Sequence, residues 1–212
     1  MKKLISLLLA LVLVMGLVAC GNNTDTTPST TEGTQDTTGA AEDTTGAEDT
    51  TGAAVEANAA TDVFTVIWSN YPEANGFYAM GGDMDNMVDG APGNYSVTNE
   101  GLAGELYVPE AQVANIAAIS ALRHGMMANN FTGAVYQLAE GADVNDFATA
   151  MHDAFASTQW LCGMPEKMLI VTIDGEYVFA AFGLDQVLTD MESAIVTAYP
   201  DAEVKYNEAI SG

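Results

Sequence analysis

The most constraining feature of this chain is an apolar run broken once. Residues 168–173 read Met-Leu-Ile-Val-Thr-Ile, Asp174-Gly175 follows, and residues 176–182 return as Glu-Tyr-Val-Phe-Ala-Ala-Phe. β-Branched and aromatic side chains favour extended backbone, and Asp-Gly supplies the positive φ angles that a two-residue hairpin turn needs. An antiparallel hairpin is therefore expected. Upstream, residues 132–138 alternate as a half-buried strand, with Ala134, Tyr136 and Leu138 on one side and Val135 and Gln137 on the other. Asp143 stands as an N-cap with Asp146 in the first turn, ahead of Val144, Phe147, Met151, Ala154 and Phe155 at helical spacing, which predicts a helix over 144–158. Downstream, Asp185 reads as the cap of a last helix whose stripe is Leu188, Met191, Ile195 and Ala198 or Tyr199, stopped by Pro200.

The order is thus β-α-β-β-α. The fold class it predicts is α+β, a small antiparallel or mixed sheet with helices packed on one face. Further upstream, Pro109 begins another expected helix with Val113, Ile116, Ile119 or Ser120, and Leu122 on one face. Residues 62–71 suit a helix, with Val63, Ile67 and Trp68 together, or a strand, since Val66 and its neighbours are β-branched. Residues 75–104, rich in Gly and Asn, read as loops with at most a short helix at 83–88.

This C-terminal arrangement resembles a family of Gram-positive lipoprotein domains, domain of unknown function four-three-five-eight. The likeness is carried by Gly133-Ala134-Val135-Tyr136, the capped helix over 143–160, Pro165-Glu166 leading into a strand, the turn Asp174-Gly175-Glu176-Tyr177 and the final helix. It spans about half the chain. It implies a fold and an address, and it transfers no site residue.

Residues 22–60 are dominated by Thr, Gly, Ala, Asp and Glu, with no Lys or Arg. Such a segment has too little to bury to offset its ordering entropy and is expected to be a disordered stalk. Asp-Thr-Thr-Gly-Ala recurs from Asp36, Asp43 and Asp49, spacings too short and too polar for a solenoid repeat. Ahead of the stalk, Lys2 and Lys3 precede an uncharged apolar run over 4–17, which is short for a bilayer span and ends in small residues. Leu17-Val18-Ala19-Cys20-Gly21 resembles the lipobox of bacterial lipoproteins. The expected organisation is a signal peptide at 1–19, a lipidated Cys20 with its stalk to residue 60, and one acidic domain over 61–212, anchored at the outer face of the cell membrane and exported. Acyl chains on one cysteine anchor stably because each buried methylene contributes about 0.8 kcal/mol.

The domain carries 21 acidic side chains against Arg123, Lys167 and Lys205, a balance of −18. That argues against nucleic acid as a partner, since its binding rests on Lys and Arg neutralising phosphates. It also argues against lying flat on an anionic leaflet.

Candidate chemistry is sparse. Once Cys20 is lipidated, Cys162 is the remaining thiol, and a nucleophile pair with His124 or His152 would need hydrogen-bond reach that the spacing does not promise. Trp160-Leu161-Cys162-Gly163-Met164-Pro165 lacks the second cysteine of a redox motif. Asp83, Asp85 and Asp89 supply hard oxygen ligands at short spacing but fail the calcium-loop pattern in both registers, so a solvated turn with Asp83 as an N-cap is the plainer expectation. Met80, Met84 and Met87, with Met126-Met127, have the softness a copper(I) site would use, but methionine stripes are more often adaptable core. The expectation is a tethered, non-catalytic module without cofactor that binds a protein, peptide or cell-wall component. The alternatives are an extracytoplasmic hydrolase using Cys162 or carboxylates, and a receptor component for a metal or small ligand.

Overall fold

The computed structural model describes residues 58–161 and 163–211. The signal segment, Cys20 and nearly all of the stalk lie outside the described residues. Eight strands form one sheet: β1 (Ala79–Gly81), β2 (Val88–Asp89), β3 (Gly93–Tyr95), β4 (Ile116–His124), β5 (Phe131–Leu138), β6 (Lys167–Ile173), β7 (Tyr177–Gly183) and β8 (Glu203–Ala209). The order is β2-β1-β4-β5-β7-β6-β8, with β3 also paired to β4, and every pairing is antiparallel. Among the described residues four α-helices accompany it: α1 (Ala59–Ser69), α2 (Leu102–Glu105), α3 (Val144–Ser157) and α4 (Asp185–Ala198). The fold is α+β on an open antiparallel sheet.

The helices do not share one face. Phe147, Met151 and Phe155 of α3 are buried with Tyr136, Met168, Ile170, Val178 and Phe182. Phe64 and Ile67 of α1 join Leu188, Met191 and Ile195 of α4 over Val135, Leu169, Val171 and Phe179, the residues that alternate with the first set. The sheet is therefore covered on both sides. This accounts for the continuous apolar runs of β6 and β7, and for the burial of both Val135 and Tyr136 in β5, where a half-buried strand was expected. Each fully buried Phe, Leu or Ile on these faces contributes about 1.5–3 kcal/mol.

Local chemistry sets the ends of the elements. Asp143 accepts from the backbone N–H of Asn145 and Asp146 and starts α3 as expected. Asn58 caps α1 by accepting from Ala60 N–H, and its own amide donates to Asn94 Oδ1 at 2.6 Å and to the Ile119 carbonyl at 3.0 Å. Asn58, Ala59 and the fully buried Ala60, counted with the stalk by composition, thus belong to the domain. Asp185 does not cap α4 but is its first residue. The cap role passes to Glu166, which accepts from Asp185 N–H, while the Asp185 carboxylate pairs with Lys167 at 3.0 Å. Asp174 and Gly175 both have positive φ, 52° and 69°, and Glu176 N–H donates to the Ile173 carbonyl, but Ile173 pairs with Tyr177, so the loop is three residues, one longer than the expected two-residue turn.

Several segments depart from expectation, and residues 75–104, expected as loops, carry β1, β2, β3 and the start of α2. The helix foreseen from Pro109 is a 3-10 turn over Glu110–Asn115 followed by β4. Val113, Ile116 and Ile119 happen to fall at helical intervals, but β4 lies inside the sheet with both faces covered, so pairing with β5, β1 and β3 overrides that periodicity. Residues 83–88 form no helix; 83–87 are the bend between β1 and β2, and Val88 opens β2. The last strand, β8, was not foreseen because Glu203, Lys205, Asn207 and Glu208 make it polar, as befits an exposed edge. No helix among the described residues is long and apolar enough to cross a membrane.

Candidate functional site: a cleft floored by the sheet

Strand register builds the floor of a cleft. Arg123 of β4 pairs with Thr132 of β5, and Thr132 pairs with Phe182 of β7, so the three stand in one row across the α3 side of the sheet. The segment from β3 through α2 bends over this row and supplies Tyr95, Glu105 and Tyr107. The connection between β4 and β5 closes the end with Ala128 and Asn129. The cleft is partly open to solvent, and its volume is about 150 Å³.

The polar groups converge on one carboxylate. Arg123 Nη1 donates to Glu105 Oε2 at 3.0 Å, and the Tyr95 hydroxyl donates to the same oxygen at 3.2 Å. Both partners of the ion pair are partly screened by protein, with side-chain exposures of 23% for Arg123 and 40% for Glu105. Burial, and then the negative charge of Glu105, push the Tyr95 hydroxyl well above its ordinary range, so it remains a neutral donor. Burial also raises Tyr107.

The cleft wall holds strain. Tyr107 has φ 55°, a left-handed conformation that an aromatic residue adopts at a cost of about 1–3 kcal/mol and that persists only where packing enforces it. Phe155, Trp160 and Phe182 supply that packing, with ring centroids 5.0–6.4 Å from Tyr107. Trp160 Nε1 is buried without a hydrogen-bond partner among the described residues.

The residues singled out by sequence lie elsewhere. Asp83, expected in a solvated turn, is 1% exposed. Its carboxylate accepts from the N–H groups of Asp85, Asn86 and Ser96 and from the Asn86 amide, at 2.8–3.1 Å. Burial alone would raise its pKa, but the donors on Ser96, Asn86, Asn99 and Asp85 together hold it below the usual value. Asp83 therefore organises a turn, while Asp85 and Asp89 point to solvent. Among the described residues no group of three or more His, Cys, Asp or Glu side chains comes together to hold a metal ion. Met80 lies in β1, and Met84, Met87, Met126 and Met127 are exposed and form no helical stripe.

His124 stacks on Phe77 at 5.4 Å, which packs against the α1 and α4 side, and its Nδ1 accepts from Met126 and Met127 N–H. His152 lies on α3, on the opposite side of the sheet, between Asp153 and Glu208 at 2.9 Å each. The fold thus separates the two histidines. Cys162 lies outside the described residues.

Sequence reasoning passed over Arg123, Glu105, Tyr95, Tyr107 and Asn129. One signal was available: Arg123 is the sole arginine of the chain, placed in a strand of a strongly acidic domain. No family model, curated protein or solved structure matches the chain.

Proposed function

We propose that this chain is an exported lipoprotein, cut before Cys20 and held at the outer face of the membrane through that residue, whose acidic domain is a binding module for a small ligand. The observation that carries the binding reading is the cleft between the Arg123–Thr132–Phe182 row and the α2 segment: mostly apolar walls with a few convergent polar groups and a strained aromatic are what a ligand site requires. The order of charged start, apolar run and Cys20 supports the address. The stalk supports a module standing clear of the lipid, since a coil of about 40 residues spans roughly 35 Å.

Two measurements test this. Cys20→Ala should abolish fatty-acid labelling of the protein in cells and release it from the membrane fraction; retention and labelling of the variant would refute the anchor. For the module, the full chain in detergent is screened by thermal shift against amino acids, short peptides, wall fragments and divalent ions. A ligand that binds in the cleft stabilises the native state by mass action and should lose its effect in Ala121→Leu, which fills the floor. A screen without any shift, or a shift that Ala121→Leu leaves intact, rejects the cleft.

A further inference from the structure

Arg123 engages Glu105 through Nη1 alone, and its Nε and Nη2 make no other hydrogen bond among the described residues. A guanidinium presents five donors in a planar fork that matches a carboxylate edge. Glu105 likewise has its hydrogen bonds at Oε2, leaving Oε1 to accept. A fixed cation and a fixed anion, 3.0 Å apart, therefore stand side by side at the cleft.

We infer that the cleft takes an apolar α-amino acid in its zwitterionic form, its carboxylate on the open edge of the Arg123 fork, its ammonium on Glu105 and its side chain between Tyr107, Leu106, Ala121 and Phe182. This rests on the binding-module reading above and names its ligand class. Three observations support it. The ligand's two charges sit on one carbon and complement the adjacent pair. The domain balance of −18 disfavours a simple anion at Arg123 but not a ligand without net charge. The cleft volume, about 150 Å³, matches that of an apolar cavity that admits benzene, room for the side chain of Leu, Ile, Met or Phe. A charged side chain would be left unpaired against Tyr107 and Phe182.

The test is calorimetric titration of the full chain in detergent with L-leucine and L-phenylalanine, alongside leucinamide, which lacks the carboxylate, 4-methylpentanoate, which lacks the amine, and L-aspartate. Leucine or phenylalanine should bind, and each control should bind about tenfold more weakly or worse: leucinamide and 4-methylpentanoate because each leaves one charge of the pair unmatched, and L-aspartate because its side-chain carboxylate has no partner against Tyr107 and Phe182. Arg123→Lys, which keeps the charge and loses the fork, should weaken leucine by about tenfold. Glu105→Gln should weaken leucine while leaving 4-methylpentanoate no weaker. The comparison of ligands on the unaltered protein stands even where a substitution disturbs folding. The inference is overturned if neither amino acid gives heat at about 10 mM, a concentration that detects millimolar affinity, or if leucinamide and 4-methylpentanoate bind as well as leucine. Should another solute bind and lose its effect in Ala121→Leu while leucine does nothing, the ligand class falls and the binding module stands; if nothing binds, both fall.

Discussion

Asp83 carries a full charge into a buried turn, and the hydrogen bonds to its carboxylate come from neutral N–H groups. Asp83→Asn would set an amide N–H against those donors, and it should cost about 1–3 kcal/mol in urea denaturation at neutral pH. Its folded pKa lies below the ordinary 3.8, so the stabilisation is complete above that value and is lost as pH falls through the lower folded value. The difference between Asp83→Asn and the parent should therefore shrink below about pH 3.8; a constant difference down to the acid transition would show that Asp83 acts through shape alone. His152 runs the other way. Burial lowers its pKa, but the hydrogen bonds and charges of Asp153 and Glu208 override that and raise it above 6.5, with the Tyr206 ring stacked at 4.2 Å. A raised folded value means stabilisation complete below 6.5 and lost as pH climbs through the folded pKa. His152→Gln should therefore be further below the parent in thermal stability at about pH 6 than at about pH 9. Neither role was legible in sequence. Asp83 looked like an exposed cap because the strand it follows is three residues long, and His152 meets Glu208 across 56 positions.

Elements with a local cause were legible, and those with a distant one were not. Asp143 before Val144 and Phe147 announces α3, and Asp174-Gly175 announces the turn between β6 and β7, because cap and turn bonds close within four residues. β4 was misread because an Ala-rich strand covered on both faces has no period of two to display. β8 is polar and becomes a strand through its pairing with β6. The α1 cap joins both kinds of cause: Asn58 closes its own helix and ties it to Asn94 and to Ile119 of β4. Asn58→Ala should cost about 1–2 kcal/mol by chemical denaturation, and Asn58→Asp, which caps but cannot donate, should recover only the capping share. Full recovery by Asp would show that the bonds to Asn94 and Ile119 contribute nothing.

At the scale of the whole domain, residues 61–212, 21 carboxylates against three cations make a self-repelling surface, and each of those three cations is already paired: Arg123 to Glu105, Lys167 to Asp185 and Lys205 to Glu203. Raising NaCl from about 10 to about 200 mM should raise the melting temperature, because the Debye length contracts from roughly 30 Å to below 10 Å and screens repulsion spread over the surface more than it weakens contact pairs. A fall would mean that the pairs outweigh the field. By itself the sequence determined the α+β class, the acidic character, the hairpin and the two long C-terminal helices, since composition, caps and turns act between near neighbours. It also supplied the expectation of an address at Cys20. Only tertiary structure decided that helices cover both faces of the sheet, that β4 and β8 are strands, and that Arg123, Thr132 and Phe182 meet under Glu105 and Tyr107. Those outcomes depend on which strand lies beside which, and in which register, and that is set by burial summed over the whole core rather than by any local signal.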